Sequence, residues 1–142
     1  MKGRSPFTKT IIPLPLNKGK GIKGIGFIMI IRNIKQEEVL QGLFRAHGGA
    51  VATMLLDDRV LQGILFLAYG LLKPGKTIEP HIDPYEEIYY LLQGEGIMTV
   101  GDDQQKVSAG DTIWIPYGSV HSLLNDGGED CIVLVIAAMP RS

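Results

Sequence analysis

GKTIEPHIDPYEEIYYLLQG, residues 75–94, and GDTIWIPYGSVHSLLN, residues 110–125, hold two of the chain's three histidines. His81 and Asp83 stand two apart, so on a strand they share a face. Pro84 and Tyr85 mark a bend after them. Glu87 opens the apolar strand 87–92, and His121 follows a Pro116-x-Gly118 turn on a strand over 120–124. Imidazole nitrogen with carboxylate oxygen suits one divalent transition metal ion: Mn, Fe, Ni, Zn or Cu. Cys131 is the only cysteine, so no thiolate site is available.

The spacing of these residues resembles the two motifs of the cupin family. The second motif is present at Gly110, Pro116, Gly118, His121 and Asn125, and the first at Gly75, His81, Glu87 and Gly94. The chain departs from the pattern at Asp83, where cupins usually carry a second histidine. Residues 95–109 form a gap of 15 residues, as in small single-domain cupins. The resemblance implies an all-β fold, a double-stranded β-helix or jelly-roll barrel, with His81, Glu87 and His121 as metal ligands and Asp83 as the fourth. Without Asp83 the set is a 2-His-1-carboxylate triad with open positions, the usual site of non-haem Fe(II) oxygenases. With Asp83 it gains charge and shifts toward harder cations such as Mn.

The rest of the chain is read outward from this centre. Strands are predicted at Ala50–Leu56, Gly63–Leu72, Ile97–Val100, Gln104–Val107, Thr112–Ile115 and Cys131–Ala137, with a turn at Gly101-Asp102-Asp103. Such short strands with turn signals between them predict a sandwich or barrel. Alternation points Glu87, Tyr89 and Leu91 inward, with Met98 and Val100, Ile113 and Ile115, and His121 and Leu123. Tyr89 is the candidate catalytic residue, its hydroxyl a proton donor. Glu86 faces the other way and is expected in solvent. Phe44-Arg45-Ala46-His47-Gly48-Gly49 reads as a glycine turn; the alternative puts Arg45 or His47 at the pocket mouth as a substrate anchor.

A chain of 142 residues, 45% hydrophobic, supports one domain with a real core. Residues 1–26 stand apart as a basic, Pro/Gly-rich arm, and residues 27–142 as the barrel domain. Six basic and no acidic residues lie in the first 24. Pro13 and Pro15 interrupt the arm's only apolar cluster, so a signal-peptide core is not expected. An alternative start at Met29 fits the same pattern, with a β-rich run over Phe27–Arg32. A net charge of −1 gives no basis for nucleic-acid binding. The longest apolar run, Cys131–Met139, is shorter than the roughly 20 residues of a membrane helix, so no membrane partner is expected. One cysteine suits a reducing cytoplasm.

The function implied is a metalloenzyme of dioxygenase, isomerase, decarboxylase or lyase type acting on a small organic molecule. The rival is a non-catalytic metal or small-molecule binding or sensor cupin. The apolar surface of Gly63–Leu72 and Cys131–Ala137 exceeds what one barrel interior needs, so a homodimer is expected. No phosphate-binding loop and no Gly-x-Ser-x-Gly elbow is present.

Overall fold

The computed structural model describes residues 29–141. The arm expected over residues 1–26 therefore lies outside the described residues. Ten strands follow one helical turn, α1 (Glu37–Leu40). They are β1 (Phe44–Ala46), β2 (Ala50–Leu56), β3 (Phe66–Leu72), β4 (Thr77–His81) and β5 (Glu86–Gln93). Then come β6 (Glu95–Val100), β7 (Asp103–Ser108), β8 (Thr112–Ile115), β9 (His121–Leu124) and β10 (Cys131–Ala138).

The strands form two antiparallel sheets. Six pair in the order β1-β2-β3-β10-β5-β8, and four in the order β4-β9-β6-β7. The last strand thus lies between β3 and β5, so the C-terminal segment closes the larger sheet from within. Its apolar residues Cys131–Ala137 pair in register with Leu72–Phe66. This is the jelly-roll arrangement that the motif spacing implies.

Alternation places the core. On β5, Glu87, Tyr89 and Leu91 are buried, while Ile88, Tyr90 and Leu92 are exposed. On β9, His121 and Leu123 are buried. Leu72, Leu91, Ile115 and Leu123 belong to one apolar cluster, and Met54, Phe66, Ala68 and Ala137 to a second beside it.

Two local devices hold the motif segments. Asn125 is fully buried, and its Nδ2 donates to the carbonyls of Leu72 and Glu129, both at 2.8 Å. Its Oδ1 accepts from the Gly127 N–H at 2.9 Å. One amide thereby joins the ends of β3 and β9 to the start of β10. Gly94, at φ +86°, lets β5 turn into β6 against β10. A Cβ there would stand 2.6 Å from the Asp130 carbonyl oxygen.

Three expectations are corrected. Residues 29–32 form no strand, and Met29 and Ile31 are exposed. That segment has apolar side chains but no partner strand among the described residues. The strand expected over Gly63–Leu72 begins only at Phe66, because residues 62–64 bend before it. Its side chains alternate between buried and half-buried instead of being buried on both faces. Glu86 is half-buried, not simply solvated, and accepts a hydrogen bond from Trp114 Nε1 at 3.0 Å.

Candidate metal centre

His81 ends β4 and His121 begins β9, and the two are direct partners in the antiparallel register. Glu87 comes from β5 in the other sheet, and Asp83 from the connection between β4 and β5. The Pro84-Tyr85 bend carries the chain from one sheet to the other, so three nearby residues converge from two directions. One nitrogen or oxygen from each of His81, Asp83, Glu87 and His121 lies within 4.8 Å of all the others.

Both imidazoles are oriented by their own strands. His81 Nδ1–H donates to the Glu79 carbonyl at 2.7 Å, and His121 Nδ1–H to the Ser119 carbonyl at 2.9 Å. A carbonyl oxygen only accepts, so Nδ1 carries the hydrogen and Nε2 faces the cluster. A backbone partner of this kind fixes the tautomer of a ligating histidine.

His81 Nε2 lies 3.2 Å from Asp83 Oδ2, and His121 Nε2 lies 3.1 Å from Glu87 Oε1. His121 Nε2 is also 3.6 Å from Asp83 Oδ2. Yet Asp83 Oδ2, Glu87 Oε1 and His121 Nε2 are buried without a well-formed hydrogen bond. Buried polar atoms are normally satisfied. Three orphans aimed at one point, beside a fourth donor, fit a cation of the class that binds imidazole and carboxylate.

The electrostatics of the cluster are uneven. Burial pushes Glu87 above the usual carboxylate range, and Asp83 adds to the rise against the opposing pull of His121. Burial acts the same way on Asp83, but the neighbouring His81 outweighs it and holds Asp83 below the usual value. His81 is raised: burial opposes its protonation, while Asp83 and the Glu79 carbonyl favour it.

The expected catalytic residue, Tyr89, is buried and stands edge-on to His121, ring centroids 6.0 Å apart. Burial, then Glu87 and Asp83, keep its phenol protonated far above the ordinary range. Arg45 is exposed.

Two further residues stand at the centre: Tyr85, which the sequence marks only as part of a bend, and His47, for which the pocket mouth is the alternative to a turn. Burial raises the Tyr85 phenol, and the neighbouring Asp83 and Glu87 add to the rise. Its ring packs edge-on against Phe66 at 5.7 Å. His47, read mainly as a turn residue, stacks on His81 with centroids 3.5 Å apart and planes within 8°. The turn reading holds as well: His47 has φ +47° and Gly48 φ +90°. The His47 carbonyl accepts from the Glu79 N–H at 2.8 Å, which lays the β1–β2 turn across β4. Burial, then His81, lower the pKa of His47. The positive φ was the sequence signal, carried by the following Gly-Gly, but nothing local said which strand the turn would cross.

The comparisons with known proteins agree with this geometry. The cupin-domain family model matches residues 68–137. An uncharacterized protein of Methanocaldococcus jannaschii is 33% identical over 96 residues, 66% of this chain and 77% of that protein. An oxalate-binding protein of Thermotoga maritima is 35% identical over 117 residues, 80% of this chain and 95% of that protein. Among solved structures, a predicted oxalate decarboxylase of Thermotoga maritima superposes with a TM-score of 0.61 at 27% identity. The match covers 64% of this chain and 81% of that one. Motif spacing, the two-sheet barrel and these matches lead to one conclusion: the chain belongs to the cupin family.

Proposed function

We propose that His81, Asp83, Glu87 and His121 hold one divalent transition metal and that the barrel binds and transforms a small organic molecule there. The observation that carries this reading is the convergence of four donors within 4.8 Å, three of them otherwise unsatisfied. A metal held by these side chains would supply Lewis acidity toward an oxygen of the substrate. The chain's own groups would do the rest. Glu87 joins the buried wall of the larger sheet to the donor set. Tyr89 and Tyr85, both held neutral, offer hydroxyl protons beside the carboxylates. Dioxygenase, isomerase, decarboxylase and lyase chemistries all fit these parts. The names carried by the Thermotoga maritima matches, an oxalate-binding protein and a predicted oxalate decarboxylase, favour a small carboxylate as ligand.

Metal analysis of the purified protein and of His121→Ala tests the centre, with one equivalent expected in the first and none in the second. A second reading, ligand binding without turnover, is favoured by the relative named only for binding. Turnover of a panel of small carboxylates under air and under nitrogen separates the two. Any product formed would exclude the passive reading.

The assembly proposed is a homodimer through the outer face of the larger sheet. Ile88, Tyr90, Leu92 and Trp114 are exposed there beside half-buried Leu134 and Ile136. A contiguous apolar face of this kind marks an interaction surface. Residues 1–26 are proposed as an arm dispensable for the barrel, so a chain beginning at Met29 should keep its melting temperature. A cytoplasmic location suits the single buried cysteine. No helix among the described residues is long and apolar enough to cross a membrane.

A further inference from the structure

Behind Glu87 the barrel interior leaves a cavity of about 50 Å³. Small residues of β2 and β3 line one side of it, and Phe66, Ile78, Val133 and Val135 complete its apolar wall. Ala52 pairs with Gly70, and Ala50 and Ala68 lie on the adjoining rows of β2 and β3. Glu87, His47 and Tyr89 are its charged or ionisable lining groups, and no lysine or arginine reaches it. Protein interiors are close-packed, with few voids larger than a water. An apolar void that opens onto an unsatisfied buried carboxylate has the character of a ligand pocket.

The volume and lining select the occupant. One water-sized probe needs roughly 10–15 Å³ by the same measure, so the chamber has room for about three to five heavy atoms. Its walls offer no cation to a negative charge, and an unpaired charge buried there is strongly disfavoured. A dicarboxylate with no alkyl group would leave the space unfilled.

We propose that this chamber receives the short alkyl end of a 2-oxo or 2-hydroxy monocarboxylate whose oxygens are held at the neighbouring His81, Asp83, Glu87 and His121 cluster. The substrate class rests on the metal-centre reading; the shape of the chamber does not. Ala52 and Ala68 are then the residues that set the permitted chain length. The functional ligand differs on this view from oxalate, which the relatives' names mention, by carrying an apolar tail.

Calorimetric titration with glyoxylate, pyruvate, 2-oxobutanoate and 3-methyl-2-oxobutanoate tests this on Ni²⁺-loaded protein, with oxalate and phenylpyruvate as controls. Affinity is expected to rise about fourfold per added carbon, from roughly 0.8 kcal/mol per buried methylene, and to fall for phenylpyruvate. Ala68→Leu and the milder Ala52→Val should flatten the gradient while oxalate binding and metal content stay unchanged. If Ala68→Leu does not fold, Ala52→Val decides. A flat series in the unaltered protein, or a gradient that survives in a folded filled-chamber variant, overturns the proposal. Repeating the series after chelation separates the two readings. Loss of all affinity without loss of the gradient in the metal-loaded protein leaves both standing. Failure to load any metal refutes the centre, and the chelated protein's chain-length dependence then reports on the chamber alone.

Discussion

Adding metal should raise the melting temperature of this protein, and His121→Ala should abolish the rise. A ligand present at 100 times its dissociation constant stabilises the native state by about 2.7 kcal/mol. Unfolding entropy near 2.1 cal/mol/K per residue gives about 300 cal/mol/K for this chain of 142 residues. Each kcal/mol is then worth about 3 °C, and the metal shift about 9 °C. His121 is 1% exposed, so its truncation leaves a cavity and costs about 2–4 kcal/mol in the metal-free state. The variant should therefore melt about 7–13 °C lower without metal and stay there when metal is added. Asp83→Ala divides the remaining alternatives: a ligand loses most of the shift, a bystander none of it. Asp83→His, which restores the common cupin pattern, should keep the shift and change which metal produces it best. Scanning calorimetry with Mn²⁺, Ni²⁺ and Zn²⁺ reads all four proteins. A full metal shift in His121→Ala would refute the reasoning.

Gly75 and Gly94 have similar positive φ, +81° and +86°, but only Gly94 faces backbone atoms within 3 Å of a Cβ. Gly75→Ala should cost about 1–2 kcal/mol from the left-handed conformation alone, and Gly94→Ala about 1–3 kcal/mol more from the clash; equal urea midpoints would contradict this. Burial raises the Cys131 thiol from 9.0 to about 11. The unfolded chain loses that proton first as pH rises, so stability present below about pH 9 declines toward pH 11. The decline is at most about 2.7 kcal/mol at 1.36 kcal/mol per unit. Cys131→Ala should remove this part of the alkaline loss in pH-dependent denaturation. Tyr90→Glu should halve the mass measured by light scattering if the outer sheet face is the dimer interface; an unchanged mass would place the interface elsewhere.

The parts of the fold legible in the sequence were those governed by local rules. Period-two alternation alone places Glu87, Tyr89 and Leu91 on one face of β5, and that face is the buried one. Glycine and proline marked the turns that bring His81, Glu87 and His121 into range. What local rules could not supply was the partner across a turn. His47 reaches His81 only because the β1–β2 turn crosses β4, with Gly48 bridging to Ile78. Tyr85 read as a bend residue because its proline neighbour dominates the local signal. The alanines of β2 and β3 read as ordinary core. Only the register that sets Ala52 against Gly70 turns them into a hollow. The apolar run before Phe66 was misjudged because hydropathy alone does not see the bend at residues 62–64.

The four donors are divided between the sheets: His81 and His121 in the smaller, Glu87 in the larger, Asp83 on the crossing between them. An ion held by all four would clasp the two halves of the barrel together. Its escape would then require the barrel to breathe open, so release to a chelator should be slow and should saturate with chelator concentration at the opening rate. Amide exchange in β4 and β9 should slow on loading at the edge that loses its freedom to separate. The lifetime of the loaded protein would be set by the motion of the walls as much as by the strength of the bonds to the ion.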